Sequence, residues 1–281
     1  MRPVALRGRR AAGPAPGARI DAPAPVPAAA GRYWEIDAAR TLAIAMMVAY
    51  HIVYDIDLAA PGLGPDPFRG SWGLLPEATG SLFLAVAGMS LSISDARLRA
   101  RGVGAWERWR SHARRAGIVL AAGMLVTAAT WVVFPDRFVR FGILHAIGVS
   151  ILVGAALVRF PALTAIAGGA AIAAGLAVAG GTSDAPGGLV VGLPPAGFSS
   201  VDYWPLLPWM GALLLGAALG SLLYPGGRRA GPLTRIPPGP RATRPLTAPG
   251  RHSLPVYLVH QLILVPVVWA VVRVGQAVGA W

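Results

Sequence analysis

The stretch AGIVLAAGMLVTAATWVVF, residues 116–134, contains no charged side chain. At ~1.5 Å of rise per residue, a helix of this length spans about 30 Å, which is the thickness of the hydrocarbon core of a bilayer. The apolar run is unbroken, whereas a strand of a membrane barrel would alternate between apolar and polar residues over about ten positions. The stretch therefore predicts a membrane-spanning helix.

Six further apolar stretches lie on either side of it, separated by turn signals such as Pro61-Gly62 and Phe160-Pro161. They cover residues 38–58, 74–94, 141–158, 162–181, 203–224 and 253–274. We therefore predict an all-α fold, a polytopic bundle of about seven transmembrane helices.

The composition supports a membrane protein. Of the 281 residues, 55% are hydrophobic and only 13% are charged, which is too little charge to cover the surface of a soluble domain. The absence of cysteine excludes disulfides, thiolate metal sites and a cysteine nucleophile, and we expect no metal.

The net charge of +13 comes from arginine, because the chain has no lysine. If the N-terminus is cytoplasmic, 20 of the 25 arginines fall in cytoplasmic segments and four on the opposite side, with Arg40 inside the first helix. This asymmetry predicts a cytoplasmic N-terminus and an outer C-terminus in the cell membrane. The charge is then a signal of topology and lipid headgroups, so we expect no nucleic acid partner.

Two segments differ from the apolar stretches. Residues 1–31 are rich in alanine, proline and arginine and lack the apolar core of a signal peptide, so we predict a disordered cytoplasmic tail. Residues 32–281 then form the transmembrane domain, within which the Pro/Gly/Arg-rich residues 225–250 predict a flexible cytoplasmic linker.

The first apolar stretch contains two polar residues one helical turn apart, His51 and Asp55. At this spacing an aspartate can hold one imidazole nitrogen as a donor and leave the other free as a base. Charged groups within the bilayer cost on the order of 3 kcal/mol, so they are expected to face a cavity or each other. The alternative is that His51 only joins two helices through a hydrogen bond.

The fourth stretch begins with Arg140 and His145, at a depth similar to that of Asp55 and His51. We predict that the four residues form one outer group, with His51, Asp55 and His145 catalytic and Arg140 binding substrate. Snorkelling to the headgroups is the alternative for Arg140, and simple packing is the alternative for His145.

The cytoplasmic mouth is predicted to carry the anion-binding residues Arg40, Arg251 and Ser253. For Arg40 an internal pair with Asp37 is an equal alternative, and Arg251 is equally well explained as a topology signal. Further along the last helix, we assign Tyr257, His260 and Gln261 to substrate binding.

Five stretches in order resemble a known family. They are RYWEIDAARTLAIAMMVAYHIVYD (32–55), LFLAVAGMSLSIS (82–94), FPDRFVRFGILHAIGVS (134–150), DYWPLLPWMGALLLGAALG (202–220) and RHSLPVYLVHQ (251–261). Together they are similar to prokaryotic relatives of heparan-alpha-glucosaminide N-acetyltransferase. One departure is Thr41, where the family usually has glycine after the arginine.

The resemblance implies an enzyme that transfers an acetyl or other acyl group from cytoplasmic acyl-CoA to an amine or hydroxyl acceptor, such as a sugar, at the outer face. His51 matches the polar position of the first helix that the superfamily uses in catalysis. The expected partners are the lipid bilayer, acyl-CoA and the acceptor, and a homodimer is left open.

Two other functions remain as alternatives. Intramembrane histidine and aspartate residues also serve as proton relays in transporters and channels, although no internal repeat is visible in the sequence. A non-catalytic membrane scaffold would leave the buried polar residues without a role.

Overall fold

A computed structural model of the chain describes residues 31–237 and 243–280. The chain divides into two units, Met1–Gly31 and Arg32–Trp281, and the second is described below. The predicted tail lies outside the described residues except for Gly31.

The described residues are helical and contain no strand, which confirms the predicted all-α fold. The helices are α1 Trp34–Ala59, α2 Gly70–Ala100, α3 Ala105–Val133, α4 Ile143–Leu157, α5 Pro161–Val178, α6 Gly188–Val191, α7 Leu206–Leu223, α8 Arg244–Arg251 and α9 Ser253–Ala277. Six of them (α1, α2, α3, α5, α7 and α9) are long and apolar enough to cross a membrane, and α4 is a shorter apolar helix. The protein is therefore a multi-pass membrane protein.

The centre of the bundle is α7, which packs most extensively against α2 and α5. Glycines permit the close approach to α2: a Cβ atom at Gly88 would overlap the carbonyl oxygen of Leu213, and one at Gly216 would overlap the carbonyl oxygen of Ala85. Leu213 and Leu84 are fully buried beside this contact. Small residues thus let the two helix backbones touch, as is common between membrane helices.

Residues 97–115 contain seven arginines between two apolar stretches, a composition that predicts a cytoplasmic loop, and this prediction is wrong. Helix α2 continues to Ala100 and α3 begins at Ala105, so the turn between them is only residues 101–104. Arginine is a good helix former, and the buried carboxylate of Asp95 holds both helix ends. It pairs with Arg99 Nε of α2 at 3.1 Å and with Arg108 Nε of α3 at 3.0 Å. We call the end of the bundle that contains this turn and the start of α1 the arginine-rich end.

The segment over residues 225–250 contains short helices that its composition did not predict. Two 3-10 helices cover Pro225–Gly227 and Gly231–Arg235, and α8 follows. Glu35 of α1 accepts hydrogen bonds from Arg229 Nε at 2.8 Å and Nη2 at 2.7 Å, and from the hydroxyl of Tyr224 at 3.0 Å. The described part of the segment is thus bound to the start of α1. Its flexibility stays a prediction.

Thr41 departs from the family pattern, and its hydrogen bonds explain how the fold accommodates it. Its hydroxyl accepts a hydrogen bond from the N–H of Gly250 in α8 at 3.0 Å and donates to the carbonyl of Asp37 at 3.1 Å. A Cβ atom at Gly250 would overlap the same carbonyl. The close approach that a glycine on α1 would permit is therefore supplied by the glycine on α8, and Thr41 adds a hydrogen bond between the helices.

Candidate functional site

The arginine-rich end is organised around the buried carboxylate of Asp37. It accepts from Arg40 Nη1 at 2.9 Å, so the internal pair predicted as one alternative is present. It also accepts from Arg32 Nη2 at 3.1 Å, and Arg251 Nε lies 3.5 Å away. One carboxylate thus faces three guanidinium groups, which leaves positive charge for an anion.

A cavity of about 330 Å³ opens beside this cluster. Five arginines outnumber the single carboxylate of Asp37 in its polar lining, which consists of Arg32, Tyr33, Asp37, Arg40, Ser90, Ser94, Arg97, Arg101 and Arg115. Arg40 also donates to the hydroxyl of Ser90, which positions its guanidinium at the wall of the cavity. Because guanidinium groups bind phosphate oxygens through paired hydrogen bonds, we call this the phosphate cavity.

A second cavity of about 420 Å³ shares Arg40 and Arg115 with the first. Its polar lining also includes Ser111 and Arg114 of α3 and Ser253 and Tyr257 of α9. The remaining lining comes from apolar side chains of α2, α3, α4 and α9. We call it the inner cavity. Ser253 and Tyr257 are therefore where the sequence analysis expected ligand-binding residues, whereas Arg251 lines neither cavity.

His51 and His260 face each other across the contact between α1 and α9, with ring centroids 4.7 Å apart. In each ring Nδ1 lies close to a main-chain carbonyl of its own helix, that of Met47 at 2.9 Å and that of Tyr257 at 2.5 Å. A carbonyl only accepts, so Nδ1 carries the proton and Nε2 keeps its lone pair. Both imidazoles are thus oriented as neutral bases.

The predicted pair of His51 and Asp55 does not form. Asp55 Oδ1 instead accepts from Gln261 Nε2 of α9 at 3.3 Å, and the carbonyl of Met47 orients His51. His51 and Asp55 share a face of α1, as their spacing predicts, but the imidazole bonds to the main chain of its own helix. Asp55 and Gln261 therefore add a second polar contact between the two helices.

Three buried acceptor atoms around this contact have no partner among the described residues. They are Asp55 Oδ2, Gln261 Oε1 and His260 Nε2. Unsatisfied buried acceptors are costly and are uncommon unless a ligand or water supplies the donor. We call His51, Asp55, His260 and Gln261 the α1–α9 polar cluster.

The predicted outer group does not form as one cluster, because His145 and Arg140 do not contact His51. His145 Nδ1 accepts from the N–H of Gly142 at 3.2 Å, and its ring lies against Gly123 of α3. Arg140 is exposed and lies over the ring of Phe138 at 4.9 Å. In the described chain, neither residue forms a hydrogen bond, ion pair or ring contact with His51 or His260. His145 belongs to α4, which packs mainly against α3 and α7, and Arg140 lies just before this helix.

Asp202 is a polar residue that the sequence analysis missed. Its Oδ2 accepts from the N–H of Ile143 at 3.1 Å, and a Cβ atom at Gly142 would overlap this oxygen. Burial raises the pKa of Asp202 to about 6, although the hydrogen bond from Ile143 favours the charged form. Two features of the sequence could have predicted this contact. They are the glycine at the start of an apolar helix, Gly142, and the single acidic residue before the sixth apolar stretch, Asp202.

Comparison with known proteins places these residues in a family. Residues 32–262 match the sequence model described as heparan-alpha-glucosaminide N-acetyltransferase, catalytic. The chain belongs to this family. This match confirms the resemblance to heparan-alpha-glucosaminide N-acetyltransferase, and acyltransferase activity is general in the family. The family region runs from Arg32 of the Asp37 cluster to just beyond Gln261, and it therefore includes both cavities and the α1–α9 polar cluster.

Searches of curated proteins and of solved structures returned no match. The comparison with known proteins therefore rests on the family match. This match favours a transferase over the transporter that the intramembrane histidines also suggested.

Proposed function

We propose that the protein transfers an acyl group from cytoplasmic acyl-CoA to an amine or hydroxyl acceptor that reaches the α1–α9 polar cluster from the other side of the membrane. The arginine asymmetry of the sequence supports a cytoplasmic location for the arginine-rich end.

One observation carries the proposal: the phosphate cavity and the inner cavity meet at Arg40 and Arg115. A CoA thioester has the same two parts, a nucleotide with three phosphate groups and a long arm that ends in the thioester. The phosphates fit the arginine-lined cavity, and the arm fits the inner cavity along Ser253 and Tyr257. The ring of Tyr257 lies 5.5 Å from that of His260, so the arm leads toward the histidines.

In this scheme His51 Nε2 takes the proton of the acceptor nitrogen or oxygen as that atom attacks the thioester carbonyl carbon. The carbonyl carbon gains the bond to the acceptor, its bond to sulfur breaks, and the CoA thiolate leaves with the electron pair. The proton on His51 then neutralises the thiolate. His260, in ring contact with His51, is placed to share this proton.

The buried acceptor atoms of the cluster suit the proposed second substrate. Asp55 Oδ2, Gln261 Oε1 and His260 Nε2 all accept hydrogen bonds, and amines and hydroxyls are donors. These acceptors therefore favour a substrate that brings N–H or O–H groups.

Binding of CoA is tested first with the protein in detergent. Arg115 forms no ion pair with any carboxylate in the described chain, so Arg115→Gln should fold normally and still weaken CoA binding. We expect Kd to rise about tenfold, because a hydrogen bond to a charged group contributes roughly 1.5–3 kcal/mol. The measurement is the thermal midpoint against CoA concentration, since a ligand of the folded state raises the midpoint.

The matched control is Arg273→Gln, an exposed arginine near the end of α9 and remote from both cavities. It should bind CoA with unchanged affinity. A wild-type midpoint that does not respond to CoA at millimolar concentration would contradict the proposal.

A further inference from the structure

Tyr257 lies where the inner cavity meets the α1–α9 polar cluster. Its side chain lines the inner cavity, and its ring lies 5.5 Å from that of His260. Its main-chain carbonyl accepts the Nδ1 hydrogen of the same imidazole. Among the described residues that line this cavity, no other forms a hydrogen bond or ring contact with a residue of the cluster. Tyr257 therefore joins the proposed acyl-CoA site to the histidines.

The hydroxyl of Tyr257 has no hydrogen-bond partner in the described part of the chain. Its oxygen is nevertheless not completely enclosed by protein, so it remains accessible from the cavity that the residue lines. Asp202 interacts with Tyr257 electrostatically, but its carboxylate accepts a hydrogen bond from the main chain of Ile143 instead. A phenol is neutral near pH 7 and can donate its hydrogen. Tyr257 thus offers a free donor beside the histidines.

The proposed reaction requires a donor at this place. When the acceptor attacks the thioester carbonyl carbon, the carbonyl oxygen gains negative charge, which a positioned hydrogen-bond donor stabilises. The unpaired atoms of the polar cluster cannot supply that donor, because Asp55 Oδ2, Gln261 Oε1 and His260 Nε2 all accept hydrogen bonds. The side-chain amide nitrogen of Gln261 already donates to Asp55.

We propose that Tyr257 is a catalytic residue whose hydroxyl donates a hydrogen bond to the thioester carbonyl oxygen and stabilises the oxyanion formed during acyl transfer. The inference rests on the proposed function, because it assigns a role at the same acyl-CoA site. Tyr257 keeps its hydrogen throughout the reaction. The acceptor loses its proton to His51, and the thiolate leaves with the electron pair of the carbon–sulfur bond as the carbonyl forms again.

The first test needs no acceptor. The probe is acetyl-CoA with an isotopically labelled carbonyl carbon, and isotope-edited infrared spectroscopy reports the stretching frequency of its carbonyl in the bound state. Because a hydrogen bond lowers this frequency, the band should lie lower in the wild-type complex than in the Tyr257→Phe complex. Phenylalanine keeps the ring, and the lost hydroxyl has no partner in the described chain, so the variant should fold and bind acetyl-CoA.

Tyr50→Phe is the matched control. The ring of Tyr50 lies 5.5 Å from that of His51, but Tyr50 lines neither cavity. The same exchange at this position should leave the carbonyl band and the rate of acyl transfer unchanged.

The second test is the rate of acyl transfer, measured as release of free CoA thiol. Tyr257→Phe should lower kcat by about 10²- to 10³-fold and leave KM for acyl-CoA unchanged, because an oxyanion donor acts mainly in the transition state. A residue that only packs against the histidines would not separate kcat from KM when its ring is retained. A kcat equal to that of Tyr50→Phe would overturn the inference.

The outcomes distinguish two failures. If acetyl-CoA does not bind the wild-type protein, the proposed function fails. If acetyl-CoA binds and its carbonyl band has the same frequency in the wild type and in Tyr257→Phe, or if Tyr50→Phe shifts the band equally, only the role of Tyr257 fails.

Discussion

Replacement of His51 by alanine should lower acyl transfer by about 10²- to 10⁴-fold while the protein still inserts, folds and binds CoA, because a general base contributes a factor of this size. The side chain makes one hydrogen bond, to the main-chain carbonyl of Met47, and ring contacts with Tyr50 and His260. Its loss therefore removes a base and little of the packing. The measurement is release of free CoA thiol in proteoliposomes that contain the acceptor.

His252→Ala is the control, because His252 is exposed and lies between α8 and α9. It should keep full activity. His260→Ala should fall between the two variants, since His51 keeps its own orientation when His260 is absent. Full activity of His51→Ala, with elution and CoA binding like those of the wild type, would eliminate the mechanism.

Gly88→Ala should destabilise the bundle although it adds only one methyl group. The new Cβ would overlap the carbonyl oxygen of Leu213 and lie 2.7 Å from the nitrogen of Ala217. Both are backbone atoms of α7, so no side-chain rotation relieves the overlap and the helices must separate. Overpacking of this kind costs about 1–3 kcal/mol, which corresponds to roughly 3–10 °C in the thermal midpoint of a protein of this size.

Gly169→Ala is the matched control. Gly169 lies on the exposed face of α5, and a Cβ atom there has no neighbour within 4 Å. This variant should unfold at the wild-type temperature or slightly above it, because alanine is the better helix former. A Gly88→Ala protein as stable as Gly169→Ala would show that α2 and α7 are not in backbone contact.

The membrane helices could be predicted from the sequence because hydrophobicity over ~20 residues is a local property. The start of α3 could not be predicted in this way, because the short turn at 101–104 depends on ion pairs between Asp95 and arginines of two helices. A cluster of arginines has the same composition whether it forms a loop or two helix ends.

The candidate site shows the same division. Helical spacing correctly placed His51 and Asp55 on one face, and both face α9. Helical spacing could not predict that His260 would contact His51. Nor could it predict that His145 would lie against α3, because two residues at a similar depth need not belong to neighbouring helices. Contact between α1 and α9 is a tertiary property and had no local signal.

The main-chain carbonyl of Met47 decides which substitutions can change the orientation of His51. The group that orients His51 belongs to the main chain, so every amino acid supplies it, and no substitution at position 47 that preserves α1 removes it. The tautomer of His51 is therefore insensitive to side-chain substitution at position 47, whereas an aspartate partner could be lost by a single substitution. Met47 is itself buried, so substitutions at position 47 are limited by packing, but they leave the ring of His51 presenting the same nitrogen.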